Sequence, residues 1–348
     1  MDNVDTITAW LHLTDRCNLK CNYCHFSHNP IDMSIDISLS SIDSIFRVAK
    51  RYSSSKVYLK YMGGEPLLMF QNIIIISSHA KKLAKEHNIE LKELIITNGI
   101  LLDVNKIKTI KLLNINLVIS LDGLQEYNKE RSNIASTEKI IEAINLSIKH
   151  TLKLKISVVV SGHNIKGLPQ FVDWLIEKEL NFSINLVRNN TLYQTILLEG
   201  EMIEGILESL KKLEKAPNLN KINFKFDTID PLNPHSKTCG AGVNYLVFNP
   251  NGEIAKCQMQ MQNIVATHTD INPLKKIRED NKYVKSHNID EVEECKTCEI
   301  RYFCTAGCPA HTHSVEGTYR KKSPNCTIYK AIYPHLLKLE ALRLLPKY

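Results

Sequence analysis

Over the first two thirds of the chain, short apolar runs of strand character alternate with longer stretches of helical periodicity. Residues 7–13 (ITAWLHL) predict a first strand; 56–62 (KVYLKYM), 91–97 (LKELIIT), 115–121 (INLVISL), 154–160 (LKISVVV) and 181–187 (NFSINLV) predict five more. Helical patterns lie between them near 38–51, 71–87, 103–113, 136–150 and 167–179, with another at about 199–214. Six successive βα units predict an α/β fold with a parallel sheet and right-handed crossovers, of the size of a partial (β/α)6 TIM-like barrel.

Near residue 216 the rhythm breaks. APNLNKINFKFDTIDPLNPHSK is rich in Asn, Pro and Lys and reads as a bridging segment. NYLVFNPNGEIAKC then predicts a hairpin turning at Asn249-Pro250-Asn251-Gly252, and a last helix is expected over about 326–345. The expected organisation is therefore 1–215 for a core domain, 216–238 for a bridge and 239–348 for a small cysteine-rich domain ending in that helix. Such an aperiodic domain needs another source of stability, and bound metal can supply it.

The 348-residue chain carries a net charge of +7. Its lysines are scattered over helix surfaces without a basic run or interleaved aromatics, which argues against nucleic acid as a partner. The opening MDNVDTITAW lacks both parts of a signal peptide, and no apolar run reaches membrane-spanning length. A cytoplasmic location without membrane association is expected. Ten cysteines in that reducing setting point to metal or redox chemistry, not to disulfides.

Three of the ten crowd into CNLKCNYC, as Cys17, Cys21 and Cys24, in the loop after the first strand. Active sites of layered α/β and barrel folds form at that end of the strands. A CxxxCxxC spacing lets three thiolates converge on an object several ångströms across, which suits an iron–sulfur cube better than one zinc ion. With three local ligands for four irons, one iron stays open.

The motif, with Tyr23 before its last cysteine, resembles that of the radical S-adenosylmethionine (radical SAM) superfamily, and the resemblance extends over about the first 215 residues. It implies that the open iron of a [4Fe-4S] cluster is chelated by the amine and carboxylate of S-adenosylmethionine. Gly63-Gly64-Glu65-Pro66 after the second strand matches the family's GGE motif, which binds the methionine amine; glycines admit a ligand to the backbone, and a carboxylate matches an ammonium. The resemblance suggests Ser120 and Arg131 for the methionine carboxylate and Asn98 or Asp122 for nearby polar contacts. Tyr23 either lies against the adenine or packs within its loop.

The other seven cysteines run as Cys239-x12-Gly252-x4-Cys257, then Cys295-x2-Cys298-x5-Cys304-x3-Cys308, then Cys326. On spacing alone zinc competes with iron–sulfur clusters. The pattern resembles the SPASM domain of peptide-modifying radical SAM enzymes, which holds two auxiliary [4Fe-4S] clusters. The resemblance implies that Cys295, Cys298, Cys304 and Cys326 hold the outer cluster and Cys239, Cys257 and Cys308 the inner one. Fully ligated relatives have one more cysteine shortly before the position of Cys239. Here the inner cluster is expected to keep an open iron or to take His235 or Asp230, while His311 and His313 are read as neighbouring or surface groups.

The implied reaction is reductive cleavage of S-adenosylmethionine to a 5′-deoxyadenosyl radical, which abstracts hydrogen from a peptide or protein substrate. Anaerobic sulfatase maturases share the layout but have an aspartate base after the cysteine matching Cys257; Gln258 is a poor proton acceptor, so formylglycine formation ranks second. Epimerisation, which commonly needs a spare thiol, ranks lower because every cysteine is assigned. The favoured expectation is a thioether or carbon–carbon crosslink in a ribosomal precursor peptide. Electrons would come from a reductant such as flavodoxin or ferredoxin, and the precursor would be recognised either through a separate leader-recognition protein or directly. A non-catalytic iron–sulfur or zinc module explains the later cysteines but not the first loop.

Overall fold

A computed structural model of the chain describes residues 4–26, 28–188 and 199–344. Strands β1 (Thr6–His12), β2 (Lys56–Met62), β3 (Glu90–Thr97), β4 (Asn116–Ser120), β5 (Leu154–Val160) and β6 (Asn181–Leu186) run parallel in that order. Helices α1 (Ile35–Arg51), α2 (Phe70–His87), α3 (Val104–Leu112), α4 (Ile134–Lys149), α5 (Leu168–Glu177) and α6 (Glu199–Lys215) alternate with them. The expected α/β fold is the one observed.

Strand alternation separates two faces. Ile7, Leu11, Leu59, Ile119, Ile156 and Phe182 point outward and are fully buried against helix residues such as Ile42, Phe46, Ile144 and Phe171. Burial of such side chains contributes roughly 1.5–3 kcal/mol each and sets the strand register. Helix starts are fixed by side chains that accept from the first turn: Ser34 from the Ile37 amide of α1, Asp103 from Lys106 of α3 and Asn133 from Ser136 of α4.

The inner face is more polar. Thr8 of β1, Lys60 of β2, Lys225 and Tyr245 all line one cleft of about 1110 Å³, although β7 (Phe224–Phe226) lies at the far edge of the sheet from β1 and β2. For both regions to face one cleft, the sheet must curl, as a partial barrel does. The segment read as a bridge thus supplies a seventh parallel strand, since β7 pairs with β6 from Phe182↔Phe224 to Ile184↔Phe226. Its three residues are too few to show a periodicity in the sequence.

Beyond residue 239, β8 (Tyr245–Phe248) pairs parallel with β1, from Thr8↔Tyr245 to Leu11↔Phe248. Antiparallel β9 (Glu253–Ala255) and β10 (Ile264–Thr267) follow, making one continuous ten-stranded sheet ordered β10-β9-β8-β1-β2-β3-β4-β5-β6-β7. The cysteine-rich segment therefore shares backbone hydrogen bonds with the core. Helices α7 (Pro273–Glu279), α8 (Arg301–Cys304) and α9 (Pro309–Glu316) lead to α10 (Cys326–Leu344), where Lys338 pairs with Glu214 of α6. Among the described residues, no helix is long and apolar enough to cross a membrane.

The β8–β9 turn depends on Gly252, whose φ is +76° and whose missing Cβ would lie 2.2 Å from His268 Nδ1. Gly252→Ala is expected to destabilise the protein by about 1–2 kcal/mol from backbone strain, with more from displacing His268. Differential scanning calorimetry should show a transition lowered by a few degrees; an unchanged transition would mean that the turn relaxes without consequence.

Candidate active site

The loop after β1 is held close to the loop after β2. The Gly64 amide donates to Thr14 O at 2.7 Å and the Glu65 amide to Arg16 O at 2.9 Å. A Cβ on Gly63 would come within 2.5 Å of Thr14 O and one on Gly64 within 2.3 Å of Arg16 O, so this approach requires glycine at both positions. Thr14 and Arg16 both reach Asp32, and Arg16 Nη2 lies 2.6 Å from its carboxylate. That closes the base of the segment carrying Cys17, Cys21 and Cys24.

Glu65 is fully buried. Its carboxylate accepts from the Leu67 amide at 2.9 Å, Thr97 Oγ1 at 2.6 Å and the Asn98 amide at 2.8 Å. It braces the ends of β2 and β3 with three donors from the protein itself. Asn98 Nδ2 donates to Asn18 Oδ1 at 2.8 Å and lies 3.9 Å from Cys17 Sγ, bringing the end of β3 against the first thiol.

Asp122, after β4, is a second convergence point. It accepts from the Val159 amide at 2.8 Å, from Arg131 Nε at 3.2 Å and from the Tyr23 hydroxyl. Arg131 in turn approaches Cys21 Sγ at 3.9 Å and lies over the Tyr23 ring at 5.5 Å. Tyr23 and Arg131 thus share one carboxylate. Ser120 ends β4 in register with Ser157 of β5.

All ten cysteines are free thiols. Among the described residues, no three His, Cys, Asp or Glu side chains converge on a point suited to a single metal ion. Three sets nevertheless lie close enough to disturb one another electrically. Burial, with the neighbouring thiols adding to it, pushes Cys21 up to about 11 in the first set of Cys17, Cys21 and Cys24. The same causes raise Cys239 to about 11 and Cys257 further, beside Cys308. Cys295 rises to about 11 and Cys304 to about 12, beside Cys298 and Cys326. Buried thiols hold a proton unless positive charge replaces it, and metal does so when thiolates ligate. The donor sets therefore fit metal–sulfur groups larger than one ion.

The remaining predicted residues are placed less centrally. Asp230 caps its own turn, accepting from the Leu232 and Asn233 amides at 3.2 Å. Both His235 ring nitrogens face protein oxygens, Nδ1 at 2.8 Å from Asn233 O and Nε2 at 3.4 Å from Thr305 Oγ1. His311 is buried with neither ring nitrogen partnered among the described residues, whereas His313 stacks on Tyr319. Gln258 joins the two regions: its carbonyl accepts from the buried His25 ring, and its Oε1 lies 3.8 Å from Cys257 Sγ.

Two features were not anticipated from the sequence. Arg188 makes a two-pronged ion pair with buried Asp227 of the segment after β7, Tyr329 of α10 donates to the same carboxylate at 2.7 Å, and Arg188 also acts electrically on Cys257. No motif marks that pair. Lys60, half-buried on the inner face of the sheet, carried a visible signal: a lysine in mid-strand in KVYLKYM, where parallel strands are usually apolar on both faces.

Residues 11–175 match the family model described as the radical SAM superfamily. A GTP 3′,8-cyclase of Clostridium perfringens is 34% identical over 212 residues, covering 59% of this chain and 62% of that protein. The structure of native anSMEcpe with bound AdoMet superposes with a TM-score of 0.77 at 18% identity, covering 97% of this chain and 99% of the other. Streptococcus suis SuiB bound to precursor peptide SuiA gives 0.64 at 17% identity, covering 92% and 75%. The family implies a [4Fe-4S] cluster and S-adenosylmethionine, and the thiols of Cys17, Cys21 and Cys24 at the strand ends fit that demand. Over residues 11–175 the chain thus resembles the radical SAM superfamily, and with a cysteine-rich segment built onto the same sheet it shares the fold of anSMEcpe over nearly its whole length.

Proposed function

We propose that the chain is a maturase acting on a peptide or protein, a ribosomal precursor peptide in the favoured reading, in which it forms a thioether or carbon–carbon crosslink. The observation that carries this reading is the cleft: its wall runs from the inner face of the sheet to Cys239, Cys257 and Cys308. Its volume of about 1110 Å³ leaves room for a peptide segment. The likeness to a fold that holds precursor peptide SuiA supports it.

In this reading Cys17, Cys21 and Cys24 hold the first [4Fe-4S] cluster, which with S-adenosylmethionine supplies the hydrogen-abstracting radical. Gly63 and Gly64 keep the backbone open to the methionine end, and Glu65 holds that loop in place. Asn98, Ser120, Asp122 and Arg131 provide polar groups around the same end, with Tyr23 over Arg131. Cys295, Cys298, Cys304 and Cys326 hold one auxiliary [4Fe-4S] cluster, and Cys239, Cys257 and Cys308 hold the other. Asp230 and His235 are already engaged by protein, which favours an open iron in the second. Flavodoxin or ferredoxin would serve as the one-electron donor.

A second reading, cyclisation of a nucleotide, is favoured by one observation, the 34% identity to a GTP 3′,8-cyclase over 212 residues. Formylglycine formation is disfavoured because Gln258 offers an amide beside Cys257 where a base is needed.

After anaerobic reconstitution, about twelve irons per chain with matching sulfide are expected, three cubes' worth. Dithionite should then convert S-adenosylmethionine to 5′-deoxyadenosine. Cys21→Ala is expected to lose about four irons and all 5′-deoxyadenosine, and Cys308→Ala to lose iron while retaining basal cleavage. A protein with stoichiometric zinc in place of auxiliary iron would remove the auxiliary clusters. With a cysteine-containing sulfatase-type peptide, no hydrazide-reactive aldehyde is expected by mass spectrometry. An aldehyde would make formylglycine formation the function, and turnover of GTP to a cyclised product would establish the nucleotide reading.

A further inference from the structure

Two hydrogen-bond donors, the Lys60 ammonium and the Trp10 indole N–H, lie on β1 and β2 without a protein acceptor among the described residues. The Lys60 ammonium lies 5.5 Å from the Trp10 ring centroid, 5.2 Å from Tyr58 and 5.5 Å from Tyr245, and has no anionic partner among the described residues. Trp10 is 8% exposed, and its indole N–H is buried and unpartnered among the described residues. Tyr245 sets its ring edge-on to Trp10 at 6.3 Å. Three aromatic rings stabilise a cation through their faces but do not satisfy its N–H groups.

The setting is part of the cleft. Lys60 and Tyr245 line it together with Cys239, Cys257 and Gln258, and Tyr245 lies near the Cys239 and Cys257 thiols. Other cations on the wall are matched: Lys221 by Glu179, Arg188 by Asp227 and Arg343 by Glu340. Lys225 is exposed to solvent. Lys60 is thus the enclosed cation of the described wall that lacks an anion. Burial pulls it down to about 8, which an arriving negative charge would reverse.

We propose that Lys60, set among the Trp10, Tyr58 and Tyr245 rings, anchors one carboxylate of the peptide substrate and so selects where along that peptide the reaction falls. The proposal rests on the peptide reading above. One ammonium among aromatic rings matches a single carboxylate; a triphosphate calls for several fixed cations or a cradle of backbone amides. The carboxylate belongs either to an acidic side chain or to a peptide C-terminus.

The test is anaerobic calorimetry on the reconstituted full chain with S-adenosylmethionine present, using Ac-Ala-Glu-Ala-NH2, Ac-Ala-Ala-Ala-OH and Ac-Ala-Gln-Ala-NH2. At least one carboxylate peptide is expected to bind about tenfold or more tightly than the glutamine peptide, the scale of a charge-assisted hydrogen bond. Which one does so identifies the source of the carboxylate. Lys60→Gln should abolish the difference and Lys60→Arg should retain it. In the unsubstituted protein, acetylation of Lys60 by acetic anhydride, followed by mass spectrometry, should be slowed by the favoured peptide and not by the glutamine peptide; this holds even if a variant folds poorly. Equal binding of all three peptides, or discrimination that survives Lys60→Gln, overturns the anchor while leaving the peptide reading intact. No peptide binding at millimolar concentration, with GTP or pyrophosphate protecting Lys60 instead, overturns both.

Discussion

The Asp122 carboxylate is the contact on which the geometry of the site depends. It lies almost out of water and collects donors from three places: the Val159 amide in β5, Arg131 in the loop after β4, and Tyr23 between the first cysteines. An ionised carboxylate so placed is tolerable only when paired; removing one partner from a buried pair costs roughly 3–5 kcal/mol. That penalty holds the cysteine loop over the strand ends and keeps Arg131 against Cys21. Glu65 does the same for the ends of β2 and β3, so two buried carboxylates clamp the loop from opposite sides.

A comparable device operates where the C-terminal segment meets the core. Asp227 is matched by Arg188 and Tyr329, tying the ends of β6 and β7 to α10. Arg188 also acts on the Cys257 thiol, so the ion pair that docks the last helix borders the inner cysteine set. Pairing of β8 with β1 makes the attachment more rigid than a flexible bridge between two domains would be. A cysteine-rich segment with few helices of its own gains its position from backbone hydrogen bonds and this buried pair. The consequence for chemistry is a fixed spacing between the first and later thiols, with Gln258 spanning them through His25 and Cys257.

The inner face of the sheet is where the molecule departs from an ordinary parallel core. Outward positions are apolar and sealed by helices, whereas Thr8, Lys60 and Tyr245 leave polar atoms facing a cleft. Buried donors without acceptors are costly, of order 1–3 kcal/mol each. A protein that keeps the Trp10 indole N–H in that condition, without a partner among the described residues, loses stability it could recover by substituting an apolar residue. Retaining such groups makes physical sense where something else completes them.

Much of this was legible in the chain. The apolar runs at 56–62 and 154–160 coincide with β2 and β5, because burial against helices permits only one face and one register. Cys17, Cys21 and Cys24 were legible as a group because they share one loop, and Asn249 to Gly252 because a tight turn there needs a positive φ. The edge strand β7 was not: Phe224–Phe226 is too short to carry a pattern and is a strand only because β6 offers it hydrogen bonds. The sequence by itself determined the strands, the helices and the supply of thiols, all set by local periodicity and spacing. Tertiary structure alone decided that Asp122 holds Tyr23, that Asp227 holds Arg188 and that Lys60 stands among three rings without an anion among the described residues. Most of those partners lie far apart in the chain, and it is the pairing of neighbouring strands and the packing of the loops at their ends that bring them within reach of one another.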